Sequence, residues 1–268
     1  MAMQLLGNTV EIEMKKILIY PVRLCYCVYA FLLFLALMMF VFPVAMIASF
    51  WGKMKGGDVI YKVCYYWALG WMSGVGIWAR DEFDSPISRE NQYIFVANHI
   101  SYLDIPMIFL SLKNKKIRIL GKIEMKRVPI FGFIYKNAVV MVDRSNHNTR
   151  AKSVRQLKSV LSKGISIFIF PEGTFNETGK PLKDFYDGAF RIAVETGTPI
   201  KPILFLDTYA RMHYSSLLTL NPGKSRAIFL EEIQVKDCGM EDIQLIKEKV
   251  YKGMADMLTQ YRAGWLRT

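Results

Sequence analysis

The sequence is short of the residues from which metal centres and disulfide frameworks are built. Its 268 residues include three histidines and four cysteines. Cys25, Cys27, Cys64 and Cys238 have neither metal-ligand nor disulfide-framework spacing. They read as reduced thiols packed as small apolar groups, which suits a cytosolic, reducing compartment. No nucleotide-binding glycine loop is visible, so neither a metal nor a nucleotide cofactor is expected. Acidic residues are also scarce: 23 Asp and Glu stand against 35 Lys and Arg, a formal charge of +12. Between Lys113 and Lys163 there are fourteen cations and only two acids, Glu124 and Asp143. Such a stretch attracts anionic headgroups, acidic carrier proteins or polyphosphate-bearing molecules. A solvated basic face is the plainer alternative. No nucleic-acid partner is expected, because the apolar segment upstream favours a lipid surface.

That segment is the most conspicuous feature present. From Val28 to Phe50, 23 residues carry no charge and a single proline, Pro43. A helix of this length crosses a bilayer core. It exceeds the apolar region of a signal peptide, and no small-residue cleavage site follows, so it reads as a retained anchor. A second apolar stretch, Val59 to Ala79, contains Lys62 and three tryptophans, Trp67, Trp71 and Trp78. Such aromatic enrichment suits the headgroup zone. A second span, an interfacial helix or one arm of a hairpin all fit, joined to the first by a short basic turn at Lys53 and Lys55. Residues 1–80 are therefore expected to form a membrane-anchoring helical hairpin. The polar break from Asp81 to Pro86 opens a second unit, residues 81–268.

Beyond that break, β-rich runs alternate with helical ones. Tyr93–Ala97, Ile117–Leu120, Ala138–Val142, Ile165–Phe170, Ile200–Leu206 and Arg226–Val235 read as strands. Ile105–Leu112, Thr149–Lys163 and Asp242–Leu258 read as helices, with Gly164 stopping the second. This alternation predicts an α/β fold with a mostly parallel central sheet covered by helices.

The sharpest chemical signal is Asn98-His99-Ile100-Ser101-Tyr102-Leu103-Asp104, which follows an apolar strand and leads into a helix. Open α/β sheets place their sites at the carboxyl ends of strands. Asp104 can fold back through the turn to one ring nitrogen of His99, leaving the other as a base. The plainer alternative is a capping box from Ser101 to Asp104, with His99 a hydrogen-bonded core residue. Further motifs follow in order: Val139–Arg144, then Phe170-Pro171-Glu172-Gly173-Thr174, then Gly197–Pro202.

Together these blocks resemble the glycerolipid acyltransferase family typified by bacterial 1-acyl-glycerol-3-phosphate acyltransferases. The first block, N-H-x-x-x-x-D, is Asn98, His99 and Asp104. The second corresponds to Lys122, Pro129, Gly132 and Asp143-Arg144. The third, F-P-E-G-T, is Phe170–Thr174, and the fourth is Pro199 and Pro202. The resemblance covers about Tyr93 to Leu206. It implies a catalytic pair, His99 and Asp104, that moves an acyl group from acyl-CoA or acyl carrier protein to the free hydroxyl of 1-acyl-glycerol-3-phosphate. The product would be phosphatidate, made without a covalent acyl-enzyme or further cofactor. Glu172, Gly173 and Arg144 would hold the glycerol-phosphate end, with Asn98, Lys122 and Thr174 completing the substrate-binding set. The implied location is the inner membrane, with the site on its cytoplasmic side. Two positions depart from the family pattern. Phe175 stands where arginine usually follows E-G-T, and Tyr186-Asp187 stand where lysines usually precede glycine. Lys183 or Arg191 would compensate. Alternatively, the acceptor is another lyso-lipid, such as a lyso-aminolipid.

Overall fold

A computed structural model describes residues 2–88, 90–142 and 147–266, with side chains described for 20–88, 90–142 and 153–266. The chain opens with two antiparallel helices, α1 (Ala2–Ser49) and α2 (Gly52–Gly74). Within α1, Tyr20–Ser49 is the one described segment long and apolar enough to cross a membrane; its 30 residues extend about 45 Å. Large apolar side chains such as Phe31, Leu32, Met39 and Phe40 stand exposed along it.

The second apolar stretch is not one helix. α2 ends at Gly74, Gly76 takes a left-handed φ of 67°, and strand β1 (Ile77–Phe83) begins. The sheet thus starts upstream of the boundary expected after Arg80. Nor do the tryptophans form an outward belt. Trp67 and Trp71 are buried against α1, where both meet Phe34 edge-on, and the Trp71 indole N–H donates to the Ala30 carbonyl at 2.8 Å. Only Trp78, on β1, is exposed among the three.

The remaining strands are β2 (Ile94–Ala97), β3 (Ile117–Lys122), β4 (Val140–Val142), β5 (Ser166–Ile169), β6 (Ile200–Phe205) and β7 (Gly223–Phe229). The helices between and after them are α3 (Asp104–Ser111), α4 (Phe131–Ala138), α5 (His147–Leu161), α6 (Gly188–Thr196), α7 (Thr208–Arg211) and α8 (Ile243–Gln260). Seven strands form one sheet in the order β1-β7-β6-β2-β5-β3-β4. Every neighbouring pair is parallel except β6 with β7. The expected mostly parallel α/β sheet is therefore present. The stretch expected as a strand from Ala138 instead ends α4 there, with β4 restricted to three residues.

Period-two alternation assigns the two cores. Tyr93, Phe95 and Ala97 point to the face shared with α2 and α3, whereas Ile94 and Val96 point to the face covered by α5, α6 and α8. The hairpin belongs to the first core, so it is fixed to the sheet. Arg118 of β3 fastens it. Its buried guanidinium donates to the Met54 carbonyl at 2.6 Å and to Asp58 at 2.8 Å, both on α2.

Candidate active site

Burial on both faces makes β2 and the run Ile167–Ile169 of β5 apolar, with the site's polar groups following where the strands end. There the chain turns over the carboxyl edge of the sheet, and His99 and Glu172 follow directly. Asp104, the first residue of α3, is fully buried, and its Oδ2 lies 2.8 Å from His99 Nδ1. The same oxygen accepts the backbone N–H groups of Ile100 at 2.8 Å and Ser101 at 2.9 Å. Those two donors define Oδ2 as an acceptor. Nδ1 must therefore carry the proton, and the lone pair resides on Nε2. Nε2 has no partner among the described residues, and the side chain is 18% exposed.

The capping alternative is also partly realised. The Asp104 carboxylate bonds backbone donors of the preceding turn while orienting the imidazole. Ser101 does not close a box with it: its hydroxyl donates to the Met212 carbonyl and accepts from the Leu103 N–H.

A second carboxylate holds the main chain of this turn. Glu172 Oε1 accepts the His99 N–H at 2.8 Å, and Oε2 accepts the Lys183 N–H at 2.8 Å. Burial pushes the Glu172 carboxyl up to about 7, and these two backbone donors pull it the other way. The His99 carbonyl accepts from Asn176 N–H at 2.8 Å. The ring lies stacked on Phe170, centroids 3.9 Å apart, with Phe175 at 4.3 Å on a tilt. Phe175 in turn meets Tyr102 and Tyr214. Backbone, carboxylate and aromatic faces thus fix the imidazole from several directions.

The residues expected to bind substrate divide differently from their motif. Asn98 is buried, and its amide is fully engaged with Phe205 on β6, donating to the carbonyl at 3.0 Å and accepting the N–H at 2.8 Å. It clamps two strand ends. Glu172, likewise, accepts a backbone N–H on each oxygen. Gly173 adopts a left-handed φ of 74°, a turn that disfavours a Cβ. Thr174 is exposed, and its hydroxyl accepts from Lys183 Nζ at 2.8 Å. Lys122 is exposed at the carboxyl end of β3, two strands from β2, or about 10 Å across the sheet edge. Arg144 and its neighbour Asp143 lie outside the described residues. Of the two departures, Phe175 covers the imidazole, while Tyr186 is exposed and Asp187 pairs with Lys247 at 2.7 Å.

Asn176 and Tyr214 were not anticipated as parts of the site. Asn176 lies two residues beyond the third motif and could have been suspected from that. Nothing in local spacing brings Tyr214 to Phe175.

Residues 80–206 match the family model described as acyltransferase. The chloroplastic 1-acyl-sn-glycerol-3-phosphate acyltransferase LPAT1 of Arabidopsis thaliana is 33% identical over 147 residues, 54% of this chain and 40% of that protein. The 1-acyl-sn-glycerol-3-phosphate acyltransferase of Cocos nucifera is 30% identical over 169 residues, 62% of this chain and 54% of its own length. The chain thus spans 40% and 54% of these two curated relatives. Among solved structures, the 1-acyl-sn-glycerophosphate acyltransferase PlsC from Thermotoga maritima superposes with a TM-score of 0.71 at 22% identity. That match covers 91% of this chain and 98% of the other and establishes a common fold. The motif order, the family-model match and the relatives agree in likening the segment 80–206 to the glycerolipid acyltransferases.

Proposed function

We propose that the protein transfers a fatty acyl group from a thioester to the free hydroxyl of 1-acyl-glycerol-3-phosphate, giving phosphatidate. The observation that carries this reading is the Nδ1–Oδ2 contact, in which an acceptor-only oxygen leaves the Nε2 lone pair free. Nε2 takes the hydroxyl proton as that oxygen attacks the thioester carbonyl. Asp104 stabilises the imidazolium that results. Collapse of the tetrahedral adduct breaks the C–S bond, and the departing sulfur takes the proton back from Nε2. No acyl-enzyme forms, and no cofactor beyond acyl-CoA or acyl carrier protein takes part. The cations of 113–163 give either donor an electrostatic approach.

α1 holds the site at the bilayer that supplies the lyso-lipid, with residues 1–80 as the anchoring hairpin and 81–268 as the catalytic unit. The setting is the cytoplasmic side of the inner membrane, and no nucleic acid is involved. The aromatic cover over His99 favours one second reading, a lyso-aminolipid acceptor lacking phosphate. Purified protein offered labelled thioester with each acceptor separates the two. His99→Ala should abolish transfer to either while the protein stays membrane-bound; normal turnover by that variant refutes the mechanism.

A further inference from the structure

Phosphate recognition ordinarily needs a cation, and beside the third motif the positions where the family pattern places one carry Phe175, Tyr186 and Asp187. Lys183 supplies a charge from elsewhere. Its backbone N–H and that of His99 occupy the two oxygens of one carboxylate, Glu172, so its main chain lies beside that of the base. Its Nζ rests on the Thr174 hydroxyl at 2.8 Å, and the next residue, Phe175, lies on the imidazole. The ammonium therefore stands at the rim of the catalytic ring.

Two features distinguish it from an ordinary surface lysine. Its only side-chain partner among the described residues is a neutral hydroxyl, which leaves N–H donors uncommitted. Lys247, by contrast, is neutralised by Asp187 at 2.7 Å. The Lys247 contact also quenches the extra acid at 187, which would otherwise oppose an anion. The loop carrying Lys183 is internally fastened. Asn176 accepts from Thr178 N–H and donates to the Lys180 carbonyl, and Tyr186 N–H closes onto the Pro171 carbonyl at 3.0 Å. The cation is thus held in place before any ligand arrives, which lowers the ordering cost of binding.

We propose that the Lys183 ammonium, seated on Thr174, receives the acceptor's phosphate and so determines the preference for a phosphate-bearing lyso-lipid. The inference rests on the reading of His99 as the base for an acyl acceptor and names the group that selects it. A phosphate oxygen is a stronger acceptor than the Thr174 hydroxyl, so the ammonium turns to it when the acceptor binds.

The test compares wild type, Lys183→Gln and Lys183→Arg in mixed micelles, with lysophosphatidate and with a monoacylglycerol of the same chain. Lys183→Gln should raise KM for lysophosphatidate roughly ten- to hundredfold. Its kcat and its monoacylglycerol turnover should stay close to wild type, and Lys183→Arg should recover most of the preference. An unchanged KM in Lys183→Gln overturns the inference. So does an equal loss on both acceptors, which marks a structural role; thermal unfolding of each variant identifies that case. Wild type inactive on lysophosphatidate but active on another lyso-lipid sinks the functional reading itself, and with it this assignment.

Discussion

Glu172 and His99 are joined side chain to main chain: a buried carboxylate oxygen takes the histidine's own backbone N–H, 73 residues away in sequence. The imidazole is therefore positioned by two carboxylates, Asp104 through the ring and Glu172 through the His99 backbone. Both Glu172 oxygens act as acceptors from N–H groups, so an amide cannot replace it. In Glu172→Gln, one of the two backbone donors, at His99 or Lys183, faces an NH2 group. The expected outcome is a loss of about 1–3 kcal/mol in stability together with a fall in kcat. Denaturant unfolding and steady-state kinetics on the same preparation check both, and a fully active, equally stable variant would refute the positioning role.

The same carboxyl makes stability depend on pH. Its folded value, about 7, lies above the ordinary 4.5. The folded protein therefore holds a proton that the unfolded chain has already released. The contribution is fully present below about pH 4.5 and is lost as pH rises through 7, on the order of 3 kcal/mol at most. Unfolding midpoints of wild type should fall between pH 5 and pH 8 from this source, and in Glu172→Gln that component should vanish.

The parts of the fold most legible in the sequence are those with strong local signals. β2, β5 and β6 are runs of β-branched and aromatic residues, buried on both faces as parallel strands require. β1 escaped notice because Arg80, Asp81 and Glu82 make it look like a linker; it is an edge strand whose Asp81 accepts from Ser111 of α3 and whose Glu82 pairs with Lys224 of β7. α4 follows Pro129 and is only eight residues long, too short for a helical period to stand out from the β-branched residues around it. The His99–Asp104 contact was readable because the two residues are five apart. The roles of Asn98 and Glu172 were not, since each is decided by a backbone group 73 or more residues distant.

Asn98 ties the end of β2 to the end of β6. Its amide satisfies both the N–H and the C=O of Phe205 in a fully buried setting. Asn98→Ala leaves two backbone groups without partners, a cost of about 2–5 kcal/mol. The expected result is a lower unfolding midpoint with KM for the acceptor nearly unchanged in the fraction that remains folded. A variant of normal stability with a sharply raised KM would instead mark Asn98 as a substrate contact.

The hairpin gives a prediction independent of the chemistry. Among the glycines of α2 that face α1, Gly56 and Gly70 differ in what a methyl group would meet. At Gly56 a Cβ would overlap the Ala48 carbonyl, backbone that cannot yield without moving α1. At Gly70 it would meet the Leu37 side chain at 3.6 Å, ordinary contact. Alanine raises helix propensity at either position by up to about 1 kcal/mol, so packing alone decides the sign. Gly70→Ala should be neutral or slightly stabilising. Gly56→Ala should lose about 1–3 kcal/mol by forcing the helices apart. The strain falls beside Met54 and Asp58, where Arg118 ties α2 to β3, so activity should fall with stability. Thermal unfolding of both variants in the same detergent measures the difference, and equal midpoints would show that α1 and α2 do not approach this closely.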